Sequence, residues 1–524
     1  MISSLANNAS HLREFLGMLL FSTLAFLSRL KYFKLTVFEG QVYFVDADCF
    51  TRMARVKHLL SEKILIIKNH PFENFPEGIH SHATMLLDWL LVCLTYLTAL
   101  FCDTDLALDI SGLLVGPIAA ATCAALLYYL SQKLDLRWCR IPLLAAYLIL
   151  PPLIWSTTLG RPDHQLLIIS LLLPALMMEL IRWQEHRFHI PAGILWGLSL
   201  WVSLWEPLIL FALLLLLNTL MRKKESFYFL IPVFVLVAVS LVIEGIPYSL
   251  FQTSQDAYFY NWLSTIGETR PATLLWFLQL GLPLFAIPFV VPKIRNQFVK
   301  GKHTRYQMLN LVFLSAFTVA CLILTLWQVR WGYLAAATSM LLTFSFFKLF
   351  RTRMIQILVL CFYFIPLIGW NIWEINRLQE PLASASLKET ASNISGKKGI
   401  MAAWWHSPAL LYFSNNPIVA SSSHQSLAGT LASAEFFTTS NFLRARQILK
   451  EKQVRWIVVS NPSHLFQNSY EILQGVVPTQ RELPSRNNKK LVLMRLWTST
   501  ALPGWLQLRS VNSHYRLYEV IDSN

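Results

Sequence analysis

Long apolar runs recur along this chain, and they restrict it to one class of protein. A helix needs about 20 consecutive apolar residues to cross a hydrocarbon core about 30 Å thick. Charged residues make up 14% of the chain, whereas soluble domains carry about 25%. The sequence therefore predicts a polytopic α-helical membrane protein. Twelve apolar runs of about the required length lie near 14–31, 83–101, 106–130, 141–157, 165–182, 191–204, 206–221, 226–244, 273–291, 308–326, 331–350 and 354–374.

The charge pattern and the cysteines exclude several other classes. The net charge is +15, but the basic residues are scattered between apolar runs rather than gathered in one helix or tail. This distribution argues against nucleic-acid binding and indicates membrane topology instead. The seven cysteines include no CxxC pair, so neither a disulfide framework nor a zinc site is indicated. The first run ends at Arg29 and Lys31 without a small-residue cleavage site, which predicts a retained membrane anchor.

The basic loops set the expected topology. If all twelve runs crossed the membrane, the basic loop 133–140 would lie outside, against the positive-inside rule. If run 83–101 instead lies on the external surface or re-enters, as its polar Thr84 and Asp88 allow, every strongly basic short loop falls on one side. The sequence therefore predicts eleven crossings, with the N-terminus inside and the C-terminus outside. The membrane would be a bacterial inner or plasma membrane, with the external side periplasmic.

Composition also divides the chain into two domains. Beyond about residue 375, polar stretches alternate with short apolar strands and one amphipathic segment, NFLRARQILKEK. This pattern predicts a small external α/β domain over 375–524. The preceding residues 1–374 form the predicted membrane domain, with external loops at 32–105, 158–164 and 245–272.

Four polar features fall on the predicted external side. They are Asp46 with Asp48 in the first loop, Asp163 in a short turn, Glu268 before a helix, and Arg330 at a helix end. Each has an ordinary explanation, namely hydrated loop acids, a helix N-cap, a capping box and a snorkelling arginine. Together, hard oxygen ligands from separate loops and a lone arginine suit a divalent cation and a phosphate. Cleavage of a sugar–phosphate bond uses such an arrangement.

Six segments, in their order and spacing, resemble the motifs of a known family. They are DCFTRMAR, FPEGIHSHATMLLDWLL, LGRPDHQ, STIGE, VRW and AAWWHSPALLYFSNNPIVASSS. Over nearly its whole length the chain resembles the GT-C glycosyltransferases, and within them the catalytic subunits of oligosaccharyltransferases. The resemblance implies a GT-C-like domain of about eleven transmembrane helices plus a surface or re-entrant helix, followed by the small α/β domain.

The resemblance also implies roles for individual residues. Asp48 is favoured over Asp46 as a metal ligand because Met53 and Arg55 then fall in register with the family motif. Arg330 would bind the phosphate of the lipid-linked donor. His80 and His82 would line the donor site, although loop histidines without a function are the simpler interpretation. The full set of implied ligands for Mg²⁺ or Mn²⁺ is Asp46, Asp48, Asp163, Gln165 and Glu268.

Two positions depart from the family pattern. Gln165 stands where the second acidic motif usually has another acid, which puts the metal site in doubt. His406 stands where the Trp-Trp-Asp-Tyr-Gly motif has its aspartate, which in the family reads the Ser/Thr of an acceptor sequon. The acceptor would therefore contact Trp404, Trp405, His406 and Glu268. A histidine can accept a hydrogen bond from a Ser/Thr hydroxyl only when its ring is neutral, that is, above its usual pKa of about 6.5. Recognition of the acceptor hydroxyl by His406 is therefore expected to weaken below that pH.

The resemblance implies transfer of a sugar or oligosaccharide from a polyprenyl-phosphate or -pyrophosphate donor to an acceptor at the external face. Asparagine in an exported protein is the first expectation for that acceptor. A lipid-linked glycan, another polymer or a protein hydroxyl is the alternative. Membrane lipids are expected partners, and nucleic acid is not. A polytopic transporter is the rival outside this class, but it would place ionisable groups near the membrane midplane. A non-catalytic protein that keeps the fold is a third possibility.

Overall fold

The structure is a computed structural model that describes residues 2–80, 84–134, 136, 139–221, 226–245, 257–281, 305–347, 353–479, 483 and 490–521. Contacts divide the chain into two compact units. Unit 1 consists of Met1–Lys34, Leu113–Gly245 and Glu268–Gln379. Unit 2 consists of Leu35–Gly112, Ile246–Gly267 and Glu380–Asn524. Unit 2 thus takes in two segments that the sequence assigned as loops of the membrane domain.

Helices dominate both units. In the N-terminal half they are α1 (Ile2–Arg29), α2 (Phe33–Thr36), α3 (Ala47–Glu62), α4 (Met85–Thr98), α5 (Thr104–Lys133), α6 (Arg140–Ile149), α7 (Pro151–Ser156), α8 (His164–Arg182), α9 (His189–Val202), α10 (Trp205–Leu220) and α11 (Phe227–Glu244). In the C-terminal half they are α12 (Ala257–Thr265), α13 (Arg305–Trp327), α14 (Gly332–Phe347), α15 (Arg353–Ile375), α16 (Leu382–Ser392), α17 (Ser407–Ser414), α18 (Leu427–Thr438), α19 (Phe442–Glu451), α20 (Pro462–Gln474) and α21 (Val492–Thr498).

Six helical segments of the described residues are long and apolar enough to cross a membrane. They are His11–Thr36, Thr104–Lys133, His164–Arg182, Phe227–Glu244, Leu309–Trp327 and Arg353–Ile375. The chain is an integral membrane protein, and the predicted helical membrane class is confirmed. The count of eleven crossings stays a prediction, and most of the run near 273–291 lies outside the described residues. The 14 residues of α4 rise about 21 Å, which is short for a hydrocarbon core of about 30 Å.

Unit 1 is built around α14, whose side chains are buried along nearly its whole length. Its sequence, GYLAAATSMLLTFSFF, is apolar all round, which is typical of a helix enclosed by other helices. Helices α6, α7, α8 and α13 contact it. Most apolar side chains of α11 and α15 are exposed instead, with only 11% of each candidate span buried. These helices therefore present apolar surface outward, as lipid-facing helices do.

Unit 2 contains a four-stranded mixed sheet. The strands are β5 (Gly399–Met401), β6 (Val454–Val459), β7 (Leu506–Val511) and β8 (Arg516–Val520), in the order β5-β6-β8-β7. Strand β6 pairs parallel to β5 and antiparallel to β8. Its sequence VRWIVV is nearly all buried, because Ile457, Val459 and their neighbours pack in one core with helices α18 to α21. The predicted small C-terminal α/β domain is thus confirmed as a sheet covered by helices.

The remaining strands form two short hairpins in unit 2. They are β1 (Val37–Phe38) with β2 (Gln41–Val42), and β3 (Asn69–His70) with β4 (Ile79–His80).

Buried polar contacts hold the first-loop region, residues 35–105 of the predicted first external loop, within unit 2. Asp88 is fully buried on α4 and accepts hydrogen bonds from Arg52 Nη1 at 2.7 Å and Arg55 Nη2 at 2.8 Å, which joins α4 to α3. Buried Glu73 accepts hydrogen bonds from the hydroxyls of Ser421 and Ser423. Because these residues lie about 350 positions apart, the contact joins the first-loop region to the C-terminal region.

Candidate active site

A sharp turn before α8 places the second predicted acid. Gly160 has a φ of +69°, which an L side chain rarely adopts, and its N–H donates to the Leu113 carbonyl at 2.9 Å. Asp163 then caps α8, accepting from the His164 backbone N–H at 2.7 Å. Asp163 is only 5% exposed. The N-cap explanation considered from the sequence is therefore correct, and it accounts for one oxygen of this carboxylate.

Three of the predicted site residues meet around Arg161. Arg161 Nη2 donates to Glu268 Oε1 at 2.9 Å and to Gln165 Oε1 at 3.4 Å, and it lies 3.8 Å from Asp163 Oδ2. Gln165 Nε2 in turn donates to Glu268 Oε2 at 3.2 Å. Arg161 is 1% exposed, and its guanidinium lies 4.8 Å from the ring centre of Trp155. A buried arginine of this kind requires such carboxylate partners.

Arg161 is not among the site residues predicted from the sequence. The available signal was its position between two apolar helices, two residues before Asp163, where a charge needs a partner.

The side chains around Arg161, as placed, do not fit a divalent cation. Carboxylate and carboxamide oxygens suit Mg²⁺ and Mn²⁺ in principle. However, Glu268 is bound to Arg161 and Gln165, and Asp163 Oδ1 is shared by the backbone N–H and the Nδ1 of His164, the latter at 2.5 Å. Among the described residues, no group of three His, Cys, Asp or Glu side chains could hold an ion. The cation at the centre of this cluster is the Arg161 guanidinium.

The two first-loop aspartates belong to unit 2. Asp46 caps α3 by accepting from the Cys49 N–H at 3.0 Å. Asp48 lies in the first turn of α3 and is exposed. His80 is exposed in β4, whereas His82 lies outside the described residues. The metal roles of Asp46 and Asp48, and the donor-site roles of the two histidines, stay predictions.

A pocket of about 310 Å³ lies within unit 1 and joins Gln165 and Glu268 to Arg330. Its wall contains five aromatic side chains, four of them tryptophans. The side chain of Trp276 reaches this wall because Gly332 leaves room, since a Cβ there would lie 2.2 Å from the indole. The polar and aromatic lining includes Trp155, Gln165, Glu268, Trp276, Arg330, Tyr333, Trp370, Trp373 and Glu374.

Arg330 is held by a buried carboxylate. It lies in a 3₁₀ turn, Val329–Trp331, directly before α14. Its Nη2 donates to Glu206 Oε1 at 2.5 Å, and Glu206, which is 1% exposed, also accepts from Ser203 Oγ at 2.8 Å. Arg330 is therefore fixed in place rather than a mobile snorkelling side chain. The sequence reasoning missed Glu206, although a single glutamate beginning an apolar helix was the available signal.

The capping-box explanation for Glu268 is not seen. The Thr265 hydroxyl donates to the Trp262 carbonyl at 2.7 Å. It is Thr273 that caps the next helical segment, a 3₁₀ helix over Leu274–Leu280. Glu268 is thus free of a helix-capping role, and both of its oxygens accept the hydrogen bonds described above.

Three of the four expected acceptor-binding residues, Trp404, Trp405 and His406, lie in unit 2 between β5 and α17, whereas Glu268 belongs to unit 1. Trp405 Nε1 donates to His406 Nε2 at 3.0 Å, and Trp404 Nε1 donates to Asn468 at 3.0 Å. Burial, and more weakly His464, lowers the pKa of His406 to about 3. The pKa of His406 thus lies below the expected 6.5, because loss of solvent around the half-buried imidazole disfavours its charged form. With Nε2 accepting from Trp405, the proton of neutral His406 lies on Nδ1.

Comparison with known proteins shows the fold. No protein-family model and no curated protein matches the chain. The archaeal oligosaccharyltransferase AglB from Archaeoglobus fulgidus, in complex with an inhibitory peptide and a dolichol-phosphate, is similar with a TM-score of 0.70 at 12% identity, over 94% of this chain and 79% of that one. The A. fulgidus oligosaccharyltransferase in complex with Zn and sulfate gives 0.59 at 14%, over 84% and 68%.

ArnT from Cupriavidus metallidurans, bound to undecaprenyl phosphate, gives a TM-score of 0.55 at 10% identity, over 96% of this chain and 98% of that one. The chain therefore has the GT-C fold, as the sequence motifs predicted.

Proposed function

We propose that the chain is a membrane glycosyltransferase that uses a lipid-linked sugar donor. The observation that carries the proposal is the pocket in unit 1, where a fixed arginine, a carboxylate, a carboxamide and four tryptophans line one cavity. Concave, largely aromatic pockets with a few convergent polar groups are the usual form of a small-molecule site. The fold supports the same class, since it is shared with an oligosaccharyltransferase.

The proposed donor is a sugar or oligosaccharide on a polyprenyl phosphate or pyrophosphate. Arg330 would bind its phosphate, because a guanidinium pairs with phosphate oxygens through directed N–H donors. Two proteins of the same fold were solved with lipid phosphates, dolichol-phosphate and undecaprenyl phosphate. The apolar residues beside Arg330 in this pocket, among them Pro151, Pro152 and Val329, would contact the first units of the lipid.

The proposed reaction displaces phosphate at the anomeric carbon. A nucleophile of the acceptor forms the new bond to that carbon while the bond to the phosphate oxygen breaks. Arg330 stabilises the negative charge on the departing phosphate, and its fixed position means that little reorganisation accompanies the step. Glu268 is about half exposed at the pocket. Arg161 and Gln165 each donate one hydrogen bond to its carboxylate, and its remaining lone pairs would accept hydrogen bonds from the sugar or the acceptor. No step is assigned to Mg²⁺ or Mn²⁺, which stay a prediction from the sequence.

Protein asparagine is the first proposed acceptor, as in an oligosaccharyltransferase. His406 supports the alternative class of acceptor, a lipid-linked glycan, another polymer or a protein hydroxyl. The reason is that neutral His406, with Nε2 engaged by Trp405, offers an N–H donor where the family has a carboxylate acceptor. Trp404, Trp405 and Glu268 complete the proposed acceptor-contacting set.

The proposed location is a bacterial inner membrane, with residues 375–524 on the periplasmic side. A reporter that is active only outside the cytoplasm should work after Asn376 and fail after Lys302. The reverse pattern would overturn the eleven-crossing topology and this location.

The decisive experiment compares cells with and without the protein. Glycans on exported proteins and on extracted lipids are measured by mass spectrometry, with Arg330→Gln as the test variant. Lys450→Gln, an exposed charge change on α19, is the matched control. A glycan that is lost without the protein, lost with Arg330→Gln and kept with Lys450→Gln is the expected result. Glycans that are unchanged on both the exported proteins and the extracted lipids would contradict the proposal.

A further inference from the structure

The end of α15 presents three pocket residues on one helix face. Trp370, Trp373 and Glu374 all line the pocket in unit 1. Residues three and four apart are neighbours on a helix surface, so one wall combines two indole rings with a carboxylate. The ring centres of the two tryptophans lie 5.1 Å apart, and their planes are tilted by 50°. The guanidinium of Arg377 lies over one face of the Trp373 ring, 4.3 Å from its centre, and helps to hold that ring in place.

Two donors from the N-terminal part of the chain hold Glu374 in this wall. Lys31 Nζ donates to Glu374 Oε2 at 2.7 Å, and the Tyr32 hydroxyl donates to Glu374 Oε1. Both donors lie in the 3₁₀ turn Leu30–Tyr32, which follows α1. Among the described residues, each oxygen of Glu374 thus accepts one such bond, whereas a carboxylate can accept about four. The side chain of Glu374 is 22% exposed, so a ligand in the pocket can reach it.

The chemistry of Glu374 selects a ligand that donates hydrogen bonds. Lys31 neutralises the carboxylate, so a cationic ligand is not required. An ionised carboxylate only accepts hydrogen bonds, so it binds hydroxyl and amide N–H groups but offers none to an acidic group. Glu268 is a second carboxylate in the lining of the same pocket. Both carboxylates would disfavour a ligand that carries a negative charge close to them.

Two indole rings beside a carboxylate suit the two kinds of surface that a sugar offers. A sugar ring has apolar C–H faces and a rim of hydroxyl donors, which match the indole rings and the carboxylate respectively. An isoprenoid chain has no donor, and packing it against Glu374 would take the carboxylate out of water without compensation. Tryptophans at a membrane surface often only anchor a helix. Trp370 and Trp373, however, lie in the pocket wall together with Glu374.

We propose that Glu374 is a specificity-determining residue that accepts hydrogen bonds from the sugar of the lipid-linked donor, and that Trp370 and Trp373 pack against the same sugar. The class of sugar is neutral and rich in hydroxyl groups, rather than acidic. The identity of the ligand as a donor sugar rests on the proposed function. The pocket, at about 310 Å³, is near the lower end of the usual range of about 300–1,000 Å³, which suits contact with one sugar unit.

The test measures binding to purified full-length protein in detergent. The probes are undecaprenyl phosphate alone and undecaprenyl phosphate that carries glucose, galactose, N-acetylglucosamine or glucuronic acid. At least one of the three neutral sugars should raise the affinity above that of undecaprenyl phosphate by about 10-fold or more, and glucuronic acid should not. Equal affinities for all probes, or tightest binding of the glucuronic acid probe, would overturn the proposal.

Glu374→Gln separates a sugar contact from a structural role. The variant keeps the shape of the side chain but removes its charge. The affinity for the best neutral sugar should fall about 10-fold, the loss typical of one hydrogen bond to a charged group. The affinity for the glucuronic acid probe should rise, because a repelling carboxylate is gone and Lys31 has lost its partner. Undecaprenyl phosphate should bind as it does to the wild type. Equal weakening of every probe would indicate a structural role and overturn the proposal.

Glu14→Gln is the matched control for this change of charge. Glu14 also belongs to unit 1 and pairs with Arg140, but neither residue lines the pocket. The variant should bind every probe as the wild type does. A loss of neutral-sugar affinity equal to that of Glu374→Gln would overturn the role of Glu374.

The tryptophan wall is tested with a matched pair of variants. Trp373 and Trp327 lie at the ends of α15 and α13 and are 47% and 60% exposed, but of the two only Trp373 lines the pocket. Trp373→Leu should weaken binding of the best neutral-sugar probe at least about 5-fold and leave undecaprenyl phosphate unchanged, whereas Trp327→Leu should change neither. Equal weakening of both probes by Trp373→Leu would identify a lipid-binding wall and overturn the sugar contact.

Binding and transfer separate the inference from the proposed function. A sugar preference that depends on Glu374, in a protein that transfers no sugar, would refute the function alone. Sugar transfer that depends on Arg330 but is unchanged by Glu374→Gln and Trp373→Leu would refute the inference alone.

Discussion

Replacement of Glu73 by glutamine should destabilise unit 2 by an amount that depends on pH. Glu73 is 1% exposed, accepts from Ser421 and Ser423, and lies 3.0 Å from His70 Nδ1. Burial alone would raise its pKa, but the contacts with His70 and the two serines outweigh burial and lower it to about 2. The interval from the ordinary value of 4.5 to about 2 corresponds to roughly 3 kcal/mol.

The sign follows from the direction of the pKa. A depressed carboxyl pKa contributes stability that is fully present above pH 4.5 and is lost as the pH falls toward 2. Glu73→Gln cannot ionise, so its stability should lack this component. The free energy of unfolding of the two full-length proteins should therefore differ by roughly 3 kcal/mol at pH 7, and the difference should narrow below pH 5 to roughly half by pH 3.

The assay is thermal unfolding of purified protein in detergent between pH 7 and pH 3. Glu77→Gln is the control from the same loop, because its carboxylate is about half exposed and pairs with Lys452 on the surface. Exposed pairs contribute about 0–1 kcal/mol, so this variant should follow the wild type at every pH. A difference between Glu73→Gln and the wild type that stays constant from pH 7 to pH 3 would refute the reasoning.

Three further predictions concern the candidate site. Because the pKa of His406 is about 3, transfer to peptides with Ser, Thr or Ala two residues after asparagine should keep the same preference at pH 5.5 and 7.5; a preference that changes in the wild type but not in His406→Asn would contradict this. Arg161→Gln removes the guanidinium from the acid cluster, so Mn²⁺ affinity measured by electron paramagnetic resonance should rise at least about 10-fold and fall again with an added Asp163→Asn; an unchanged affinity counts against Arg161 as the cation there. Gly332→Val should push Trp276 out of the pocket wall and weaken undecaprenol binding about 10-fold or more, whereas retained binding would show that the wall adapts.

The helical membrane fold could be predicted from the sequence because it depends on local composition. Apolar runs such as 354–374 specify their own helices, and α15 covers Arg353–Ile375. The α/β character of the C-terminal region follows similarly from its strand-like stretches. Which segments make up unit 2 could not be predicted, because residues 35–112 join it through contacts such as that of Glu73 with Ser423. A pairing across 350 residues leaves no periodic signal in a single sequence.

The candidate site likewise has residues that the sequence identifies by type and motif, and residues whose role depends on a distant contact. Asp163, Gln165, Glu268 and Arg330 carry chemistry that a sequence reader recognises by residue type and motif, and the structure places the first three around Arg161 and the last three on one pocket. Glu206 was missed because its importance comes from Arg330, 124 residues away.

In the proposed reaction, the ion pairs at and beside this pocket would allow a lipid phosphate to be bound and also released. Arg330 is paired with Glu206 and Arg161 with Glu268, so each arginine is neutralised before a ligand arrives. An unpaired arginine at this pocket would attract the donor phosphate and the departing phosphate alike, and such uniform binding does not accelerate the chemical step. An arginine that is paired with a carboxylate keeps oriented N–H donors but has little net charge. It therefore binds through directed hydrogen bonds rather than through undirected electrostatic attraction. The charge that develops on the leaving phosphate can then strengthen those same bonds in the transition state, where they increase the rate.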